Sequence, residues 1–254
     1  MLKPRLIPCL LIKDKGLVKT IRFNSPKYIG DPLNAVRIFN EKEVDEITIF
    51  DIDASTKSLE PDFKLIEKLA QECQMPLCYG GGIKTIENIK KLISLGVEKV
   101  SISSEIINNP ELILKAVESI GSQSIVVTLD IRTGRLLKQD TIYTKNGKKS
   151  HSLKLVPFLR KIEEYGVGEI IINDINKDGL MNGYDISLIR KISKIVKVPL
   201  TFLGGAGNLN DIKVLWKTDS SLGAAAGSLF VFKGKYKAVL INYPSKEERR
   251  KLYI

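Results

Sequence analysis

The sequence predicts an α/β fold, specifically a single-domain (β/α)8 TIM barrel built from two half-barrel repeats. Three observations support this prediction: eight short apolar runs rich in β-branched residues, amphipathic segments between them, and a second half that resembles the first. Strands that alternate with helices form a parallel sheet, and eight such units in 254 residues is the number that closes a barrel. A doubly wound open sheet is the alternative, but the strand count and the repeat favour the barrel.

The apolar runs are the predicted strands. In chain order they lie near residues 5–11, 46–52, 76–79, 98–103, 124–131, 168–174, 198–203 and 222–227. Between them, apolar residues recur at three- and four-residue intervals, which is the spacing of one helix face. The predicted helices cover residues 34–44, 61–73, 85–96, 109–121, 156–166, 185–197 and 208–218. The final residues, 242–254, carry mixed charges and predict either a last helix or a frayed end.

The internal repeat divides the chain into half-barrels of about residues 1–122 and 123–254. The run PCLLIKDKG resembles TLDIRTG, FDIDAS resembles NDINKDG, and YGGGI resembles LGGAG. Two copies predict two equivalent ligand sites on opposite sides of the barrel mouth. The repeat also raises a question, because Leu11 in the first copy stands where the second copy carries Asp130.

Composition narrows the classes of function. The net charge is +11, but the lysines are scattered along the helical segments. We therefore expect no nucleic-acid or membrane partner. A phosphorylated ligand would use part of the positive charge. No apolar run reaches the roughly 20 residues of a membrane helix, and the N-terminal run is interpreted as a first strand rather than a signal peptide. Three cysteines without a CxxC pair argue against a disulfide framework or a zinc site. We therefore expect a cytoplasmic protein without a metal or cofactor.

Two glycine-rich turns follow the third and seventh predicted strands, at the end of the barrel where active sites lie. Glycine lets the backbone approach an anion, and free N–H groups at a helix start favour phosphate. Small or hydroxyl-bearing residues after the next strand complete each turn. The two sets predict a two-phosphate ligand: Gly81, Gly82, Ser103 and Ser104 in the first half, and Gly204, Gly205, Gly227 and Ser228 in the second.

Several carboxylates also fall at the predicted mouth: Asp51, Asp53, Asp130, Asp174 and Asp178. Asp130 ends the strand SIVVTLD, so we expect it to point into the mouth, where a positioned carboxylate can act as a general acid or base. A capping or salt-bridging role is the alternative. His151, the one histidine, lies in the lysine-rich stretch KNGKKSHS and is interpreted as solvated.

Charged residues open four of the strands: Arg5, Glu46, Lys99 and Glu169. They are predicted to converge at the N-terminal end of the barrel. Charged groups are costly to bury there unless they pair with each other. On the residues alone they predict a ring of salt bridges that closes the barrel floor.

Together these motifs resemble, from end to end, the cyclase subunit family of imidazole glycerol phosphate synthase, HisF. The resemblance lies in RLIPCL, EVDEITIFDIDAS, PLCYGGGI, GVEKVSI, KDGLMNGYD, LGGAG and AAAGSLF. It implies a barrel that binds a two-phosphate ribonucleotide across its mouth, with Asp178 and Gly179 in the phosphate-binding set. It also implies a HisH glutaminase at the N-terminal face, which passes ammonia through the barrel. The four floor residues then form the gate to that tunnel.

The HisF family uses two aspartates at matching strand ends as acid and base, and this chain matches only Asp130. Leu11 occupies the other position and cannot carry a proton; losing one of two cooperating groups typically slows a reaction by several orders of magnitude. The sequence also resembles HisF-like proteins of surface-polysaccharide pathways. That resemblance implies a HisH-like glutaminase and an ATP-dependent sugar amidotransferase as partners.

Three functional hypotheses follow. The preferred one is an ammonia-channelling subunit of a glutamine-dependent complex that makes an amidino group on a surface-polysaccharide sugar. The second is an active cyclase subunit of histidine biosynthesis. The third is a non-catalytic scaffold that binds a phosphorylated ligand. The first needs the gate and tolerates Leu11, whereas the second needs a relocated acid or base.

Overall fold

The chain folds into a closed barrel of eight parallel strands, and the computed structural model describes residues 4–134 and 139–252. The strands are β1 (Arg5–Lys13), β2 (Ile47–Asp51), β3 (Leu77–Gly80), β4 (Lys99–Ile102), β5 (Ile125–Arg132), β6 (Glu169–Asp174), β7 (Leu200–Leu203) and β8 (Gly223–Ala226). Each strand pairs with the next along the chain, and β8 pairs with β1, so the sheet closes on itself. This confirms the (β/α)8 barrel and excludes the open sheet.

Among the described residues, seven longer helices surround the barrel: α1 (Pro32–Glu41), α2 (Phe63–Glu72), α3 (Ile86–Ser94), α4 (Glu111–Ile120), α5 (Leu155–Glu164), α6 (Ile186–Ser193) and α7 (Leu209–Thr218). Most begin at a polar side chain that accepts a hydrogen bond from the first turn, such as Thr85 for α3 and Asn208 for α7. Short helices span Glu105–Asn108, Ser228–Val231 and Lys246–Arg250, with a 3-10 turn at Ser122–Ser124. Within the described ranges, no helix is long and apolar enough to cross a membrane.

The C-terminal segment, for which the sequence predicts either a last helix or a frayed end, forms a short helix at Lys246–Arg250. Ser245 and Glu248 form a capping box, in which each side chain accepts a hydrogen bond from the other residue's backbone N–H. Arg249 then reaches back to Asp45, with 2.7 Å between Nη1 and Oδ1. The segment is therefore tied to the barrel through residue 252.

In the described part of the chain, two β-hairpins rise above the barrel mouth, and the sequence analysis did not predict them. One follows β1 and has strands Gly16–Ile21 and Asn24–Gly30; the other follows β5 and has strands Thr141–Thr144 and Lys149–His151. A smaller hairpin, Phe232–Lys233 with Ala238–Val239, follows β8. In the first two, the barrel strand continues directly into the hairpin, because Leu11 pairs with Val18 and Asp130 pairs with Tyr143. Leu11 and Asp130 thus occupy equivalent places.

The core has two parts, because alternate residues of each strand point in opposite directions. The larger part lies between the strands and the helices. The smaller part fills the barrel itself and consists of Ile7, Cys9, Leu11, Val18, Cys78, Val126, Ile171, Leu203 and Ala225. The interior between floor and mouth is therefore mainly apolar.

The glycine turns after β3 and β7 make the same contact in each half. Gly81 has a φ of 138° and Gly204 a φ of 103°, values that L side chains rarely adopt. A Cβ at either position would lie 2.7 Å from a backbone oxygen, that of Asp51 or of Asp174. These matched contacts support the half-barrel division, which stays a prediction.

Candidate active site

An open cavity lies at the C-terminal end of the barrel strands. Its wall combines Leu11 and Gly81 of the first half with Asp130 and Asn173 of the second. The hairpin after β1 adds Phe23 to the same wall. The structure thus brings residues from both halves to one cavity.

Asp130 faces this cavity from β5. Its Oδ1 accepts a hydrogen bond from Nδ2 of Asn173 on the neighbouring strand, at 2.9 Å. Burial raises the pKa of Asp130 to about 7; the Asn173 hydrogen bond opposes the shift, and the charge of Asp178 adds to it. A carboxyl group that titrates near neutrality can both donate and accept a proton at physiological pH.

Leu11 takes the equivalent place on β1 and contributes no ionisable group. It is 8% exposed and packs in the apolar barrel interior with Val18 and Leu203. Asp14, the nearest carboxylate along the chain, lies outside the cavity wall and pairs with Lys13 and Lys57 at its Oδ2 and Oδ1 atoms. The neighbouring carboxylate therefore does not replace the missing group.

The first predicted phosphate cradle lies on this same cavity. Gly81, Gly82, Ser103 and Ser104 all line it, beside Asn146 at the tip of the second hairpin. The backbone N–H of Lys145 donates to Ser104 Oγ at 3.2 Å, which ties that hairpin to the cradle. The hairpin tip can therefore contribute to anion binding at this site.

The second predicted cradle forms a separate, smaller cavity, lined by Gly179, Gly204, Gly205, Gly227 and Ser228. Lys19 of the first hairpin reaches into it and is only 5% exposed. A side chain at Gly227 would collide with Lys19 Nζ, so the ammonium group lies directly against this glycine. The cradle thus combines backbone from one half with a cation from the other.

Asp178 holds the first hairpin in place over the mouth. Its Oδ2 accepts hydrogen bonds from Thr20 Oγ1 at 2.7 Å and from the backbone N–H of Phe23 at 3.0 Å. Its Oδ1 lies 3.7 Å from Lys19 Nζ. Asp178 is therefore placed to position Lys19, and its membership of the phosphate-binding set stays a prediction.

Sequence reasoning left Lys19, Asn173, Phe23 and Asn146 out of the candidate site. Three of them, Lys19, Phe23 and Asn146, come from hairpins that the apolar pattern did not show. Asn173 becomes relevant only because β6 lies beside β5 in the closed sheet.

At the opposite end of the barrel, the four predicted floor residues form a closed ring of ion pairs. Arg5 lies 2.6 Å from Glu46 and 2.9 Å from Glu169, and Lys99 lies 2.8 and 2.9 Å from the same two glutamates. Thr201 Oγ1 also donates to Glu169 Oε1 at 2.5 Å. Burial opposes ionisation, but Arg5 and Lys99 hold the pKa of Glu169 below its usual value. The ring is thus charged and fully paired.

Other carboxylates at the mouth shape loops. Asp51 Oδ1 accepts hydrogen bonds from the backbone N–H groups of Asp53 and Ala54, and Asp174 Oδ1 accepts one from Asn176. Burial raises the pKa of Asp174 to about 6. Asp53 Oδ2 pairs with Lys57. These contacts match the capping and salt-bridging alternative.

His151 is not simply solvated, as the sequence analysis had it. It is half-buried, and its Nε2 lies 2.8 Å from Thr144 Oγ1 across the second hairpin. Burial lowers its pKa, and nearby Lys149 adds to this shift. The interpretation failed because the hairpin was not predicted.

Comparisons with known proteins agree with this geometry. The model of a family described as "Histidine biosynthesis protein" matches residues 5–237. The chain is 54% identical over 251 residues to "Putative imidazole glycerol phosphate synthase subunit hisF3" of Vibrio vulnificus, covering 99% of this chain and 96% of the relative. It is 48% identical over 244 residues to the similarly named hisF2 protein of Pseudomonas aeruginosa, covering 96% and 97%.

A relative named "Imidazole glycerol phosphate synthase subunit HisF", from Lactococcus lactis subsp. cremoris, is 37% identical over 230 residues, covering 91% of this chain and 89% of the relative. The match therefore extends over nearly the whole barrel and includes both the mouth and the floor. It confirms the resemblance drawn from the motifs. The chain belongs to the histidine biosynthesis protein family and, within it, to the HisF subunits of imidazole glycerol phosphate synthase.

Proposed function

We propose that this HisF-family barrel receives ammonia from a HisH-like glutaminase at its N-terminal face and delivers it to the mouth. The ammonia serves the amidino modification of a surface-polysaccharide sugar by an ATP-dependent sugar amidotransferase. One observation carries this proposal: the charged floor ring is complete, whereas the mouth has Leu11 where a cyclase needs a carboxylate.

The floor ring suits a gate that a partner controls from outside. Side chains of Arg5 and Lys99 are 24% and 19% exposed, whereas those of Glu46 and Glu169 are only 4% and 5% exposed. A docked glutaminase can therefore contact the two cations directly. Because each cation bridges both glutamates, moving one cation loosens the ring on one side while the other still holds it.

The barrel interior suits neutral ammonia. Apolar side chains line it between the floor and the mouth. An ammonium ion would lose its hydration there without a compensating charge, whereas neutral ammonia loses far less. The interior therefore selects the nucleophilic form of the molecule.

At the mouth, the chain keeps the two cradles and loses half of the acid–base pair. Leu11 packs against Val18 and Leu203 and can neither donate nor accept a proton. Ring closure that needs two positioned carboxylates is therefore expected to be slow. The cradles remain able to hold a phosphorylated small molecule through Lys19 and the glycine turns.

A second candidate function, an active cyclase of histidine biosynthesis, is favoured by one observation. Asp130 has a pKa of about 7 because of burial, which suits a group that works as acid and base near neutral pH. This candidate requires a second catalytic group at a place other than position 11.

The cyclase assay distinguishes the two candidates. The purified chain is mixed with the phosphoribosyl-formimino ribonucleotide of the family and excess ammonium at alkaline pH, and substrate loss is followed. We expect the wild type to be inert while it still binds the ribonucleotide or inorganic phosphate. Turnover at an ordinary enzyme rate that disappears in Asp130→Asn would overturn the proposal and establish the cyclase.

A further inference from the structure

Among the described residues, four buried hydroxyl side chains lie inside the barrel, from the charged floor to the bottom of the mouth cavity: Thr48, Ser101, Thr128 and Thr201. Each is at most 4% exposed. In an interior lined mainly by apolar side chains, a buried hydroxyl is normally held by a hydrogen bond. The partners of these four groups therefore show which of them the fold itself uses.

Three of the four have partners. Ser101 Oγ lies 2.6 Å from Thr128 Oγ1, and Thr201 Oγ1 donates to Glu169 in the floor ring. Thr48 Oγ1 is the exception, because it is fully buried and no described residue is within hydrogen-bond reach of it. Burying an unpaired hydroxyl destabilises the folded state, and valine would fill the same space without that penalty. The hydroxyl of Thr48 thus has no structural explanation.

The position of Thr48 suggests what the hydroxyl is for. It lies on β2 and follows Glu46 by two residues, so it is one layer closer to the mouth. It is in register with Cys9 of β1 and Cys78 of β3. Cys9 also lines the mouth cavity, and Glu46 belongs to the floor ring. Thr48 therefore occupies the layer that separates the floor from the cavity.

We propose that the Thr48 hydroxyl is a hydrogen-bonding station for neutral ammonia between the floor ring and the mouth. The inference rests on the proposed function, because it takes ammonia as the molecule that passes. The Thr48 O–H donates to the nitrogen lone pair, or Oγ1 accepts from an ammonia N–H. The Ser101–Thr128 pair, which lines the cavity bottom, is the next polar group towards Asp130.

The surroundings of Thr48 suit an uncharged ligand. Burial raises the pKa of the Cys9 thiol to about 12 and that of the Cys78 thiol well above its ordinary value, so both neighbours are neutral. On the floor side of this layer, Glu46 and Lys99 are paired with each other in the floor ring. An ammonium ion at Thr48 would find no free counter-charge in this layer.

Methyl NMR of the chain with labelled threonine tests the site directly. Ammonium chloride is titrated in alkaline and in near-neutral solution, with sodium chloride as the ionic-strength control. We expect the Thr48 methyl signal to shift saturably only in the alkaline titration, where neutral ammonia is abundant. The Thr144 methyl, buried outside the barrel and bonded to His151, should not respond. A Thr48 signal that stays still, or that follows sodium chloride equally, overturns the proposal.

Two variants test the role during transfer in the complex with the glutaminase. Thr48→Val should lower the transfer of glutamine-derived ammonia roughly tenfold, the rate equivalent of one hydrogen bond, and leave glutamine hydrolysis and use of external ammonium unchanged. Thr48→Ser should restore transfer, and Thr144→Val is the matched control. Thr48→Val should also melt no lower than the wild type, whereas a structural role would lower its Tm.

Full transfer in Thr48→Val overturns the inference. A different failure would concern the proposed function alone: a wild-type complex that passes no ammonia, although the Thr48 methyl still responds to it. The two measurements thus separate the site from the pathway that it serves.

Discussion

The ends of β1 and β5 are built alike but carry opposite chemistry. Both strands run past the barrel rim into a hairpin, at the Leu11–Val18 and Asp130–Tyr143 pairs. One end offers a methyl-rich side chain that closes the apolar interior, and the other offers a carboxyl group with a pKa near 7. The backbone at these two strand ends is therefore the same whether the side chain is apolar or ionisable, because it does not depend on the side chain at that position.

The largest effect is expected from making the two strand ends alike with Leu11→Asp. A carboxylate at this position supplies the missing acid–base group, and such a group contributes about 10²–10⁴-fold in rate. We expect ammonia-dependent cyclisation of the family's ribonucleotide to rise by that factor. Leu11→Asn has the same shape without the ionisable proton and should stay at the wild-type level. Equal rates in the two variants would contradict the comparison.

The other strand end can be tested through the pH dependence of stability. Because burial raises the pKa of Asp130 from 3.8 to about 7, its contribution to stability is present below the unfolded pKa and lost as the pH rises through about 7. Asp130→Asn removes this titration. Its stability relative to the wild type should therefore increase between about pH 4 and pH 8, by at most about 4 kcal/mol.

Urea unfolding of both proteins across this pH range measures the difference. Leu11→Asn serves as a control, because the wild-type residue at that end does not titrate. A constant difference between Asp130→Asn and the wild type would show that the carboxyl is not desolvated in the fold.

The two glutamates of the floor ring, one from each half-barrel, accept different numbers of hydrogen bonds. Glu169 of the second half accepts hydrogen bonds from both guanidinium nitrogens of Arg5, from Lys99 and from Thr201, whereas Glu46 accepts one each from Arg5 and Lys99. Glu169→Gln should therefore lower the free energy of unfolding by about 3 kcal/mol, and Glu46→Gln by less. Denaturant unfolding of the two variants measures both, and the reverse order would contradict this reading of the ring.

The smallest effects are expected where the halves are most alike. Gly81→Ala and Gly204→Ala should each lower stability by about 1–3 kcal/mol, because both have positive φ and both face a backbone oxygen. Gly30→Ala is the matched control: its φ is 143°, but nothing lies within 4 Å of its added methyl. Thermal unfolding should give similar losses for the first two and a smaller loss for the control. Clearly unequal losses at Gly81 and Gly204 would weaken the half-barrel prediction.

Most strands and helices of the barrel could be predicted from the sequence, because the pattern of apolar residues that indicates them is local. The alternation of apolar runs with three- and four-residue periodicity predicted eight strands and seven helices, since burial of one face imposes that spacing wherever the element packs. The hairpins were missed because their strands mix buried apolar residues, such as Leu17 and Val18, with polar ones, such as Lys19, and so form no apolar run of the kind used to predict the strands. His151 was misread for the same reason.

The sequence alone determined the barrel, the charged residues that open four strands, and the leucine at position 11, because these depend on residue type and position along a strand. Only the tertiary structure decided that Lys19 reaches Gly227, that Asn173 bonds Asp130, and that Thr48 Oγ1 has no hydrogen-bond partner in the described part of the chain. Those facts depend on groups far apart in the chain that meet when the sheet closes. Burial and partner geometry, which set both pKa values and unpaired hydroxyls, do not exist before that closure.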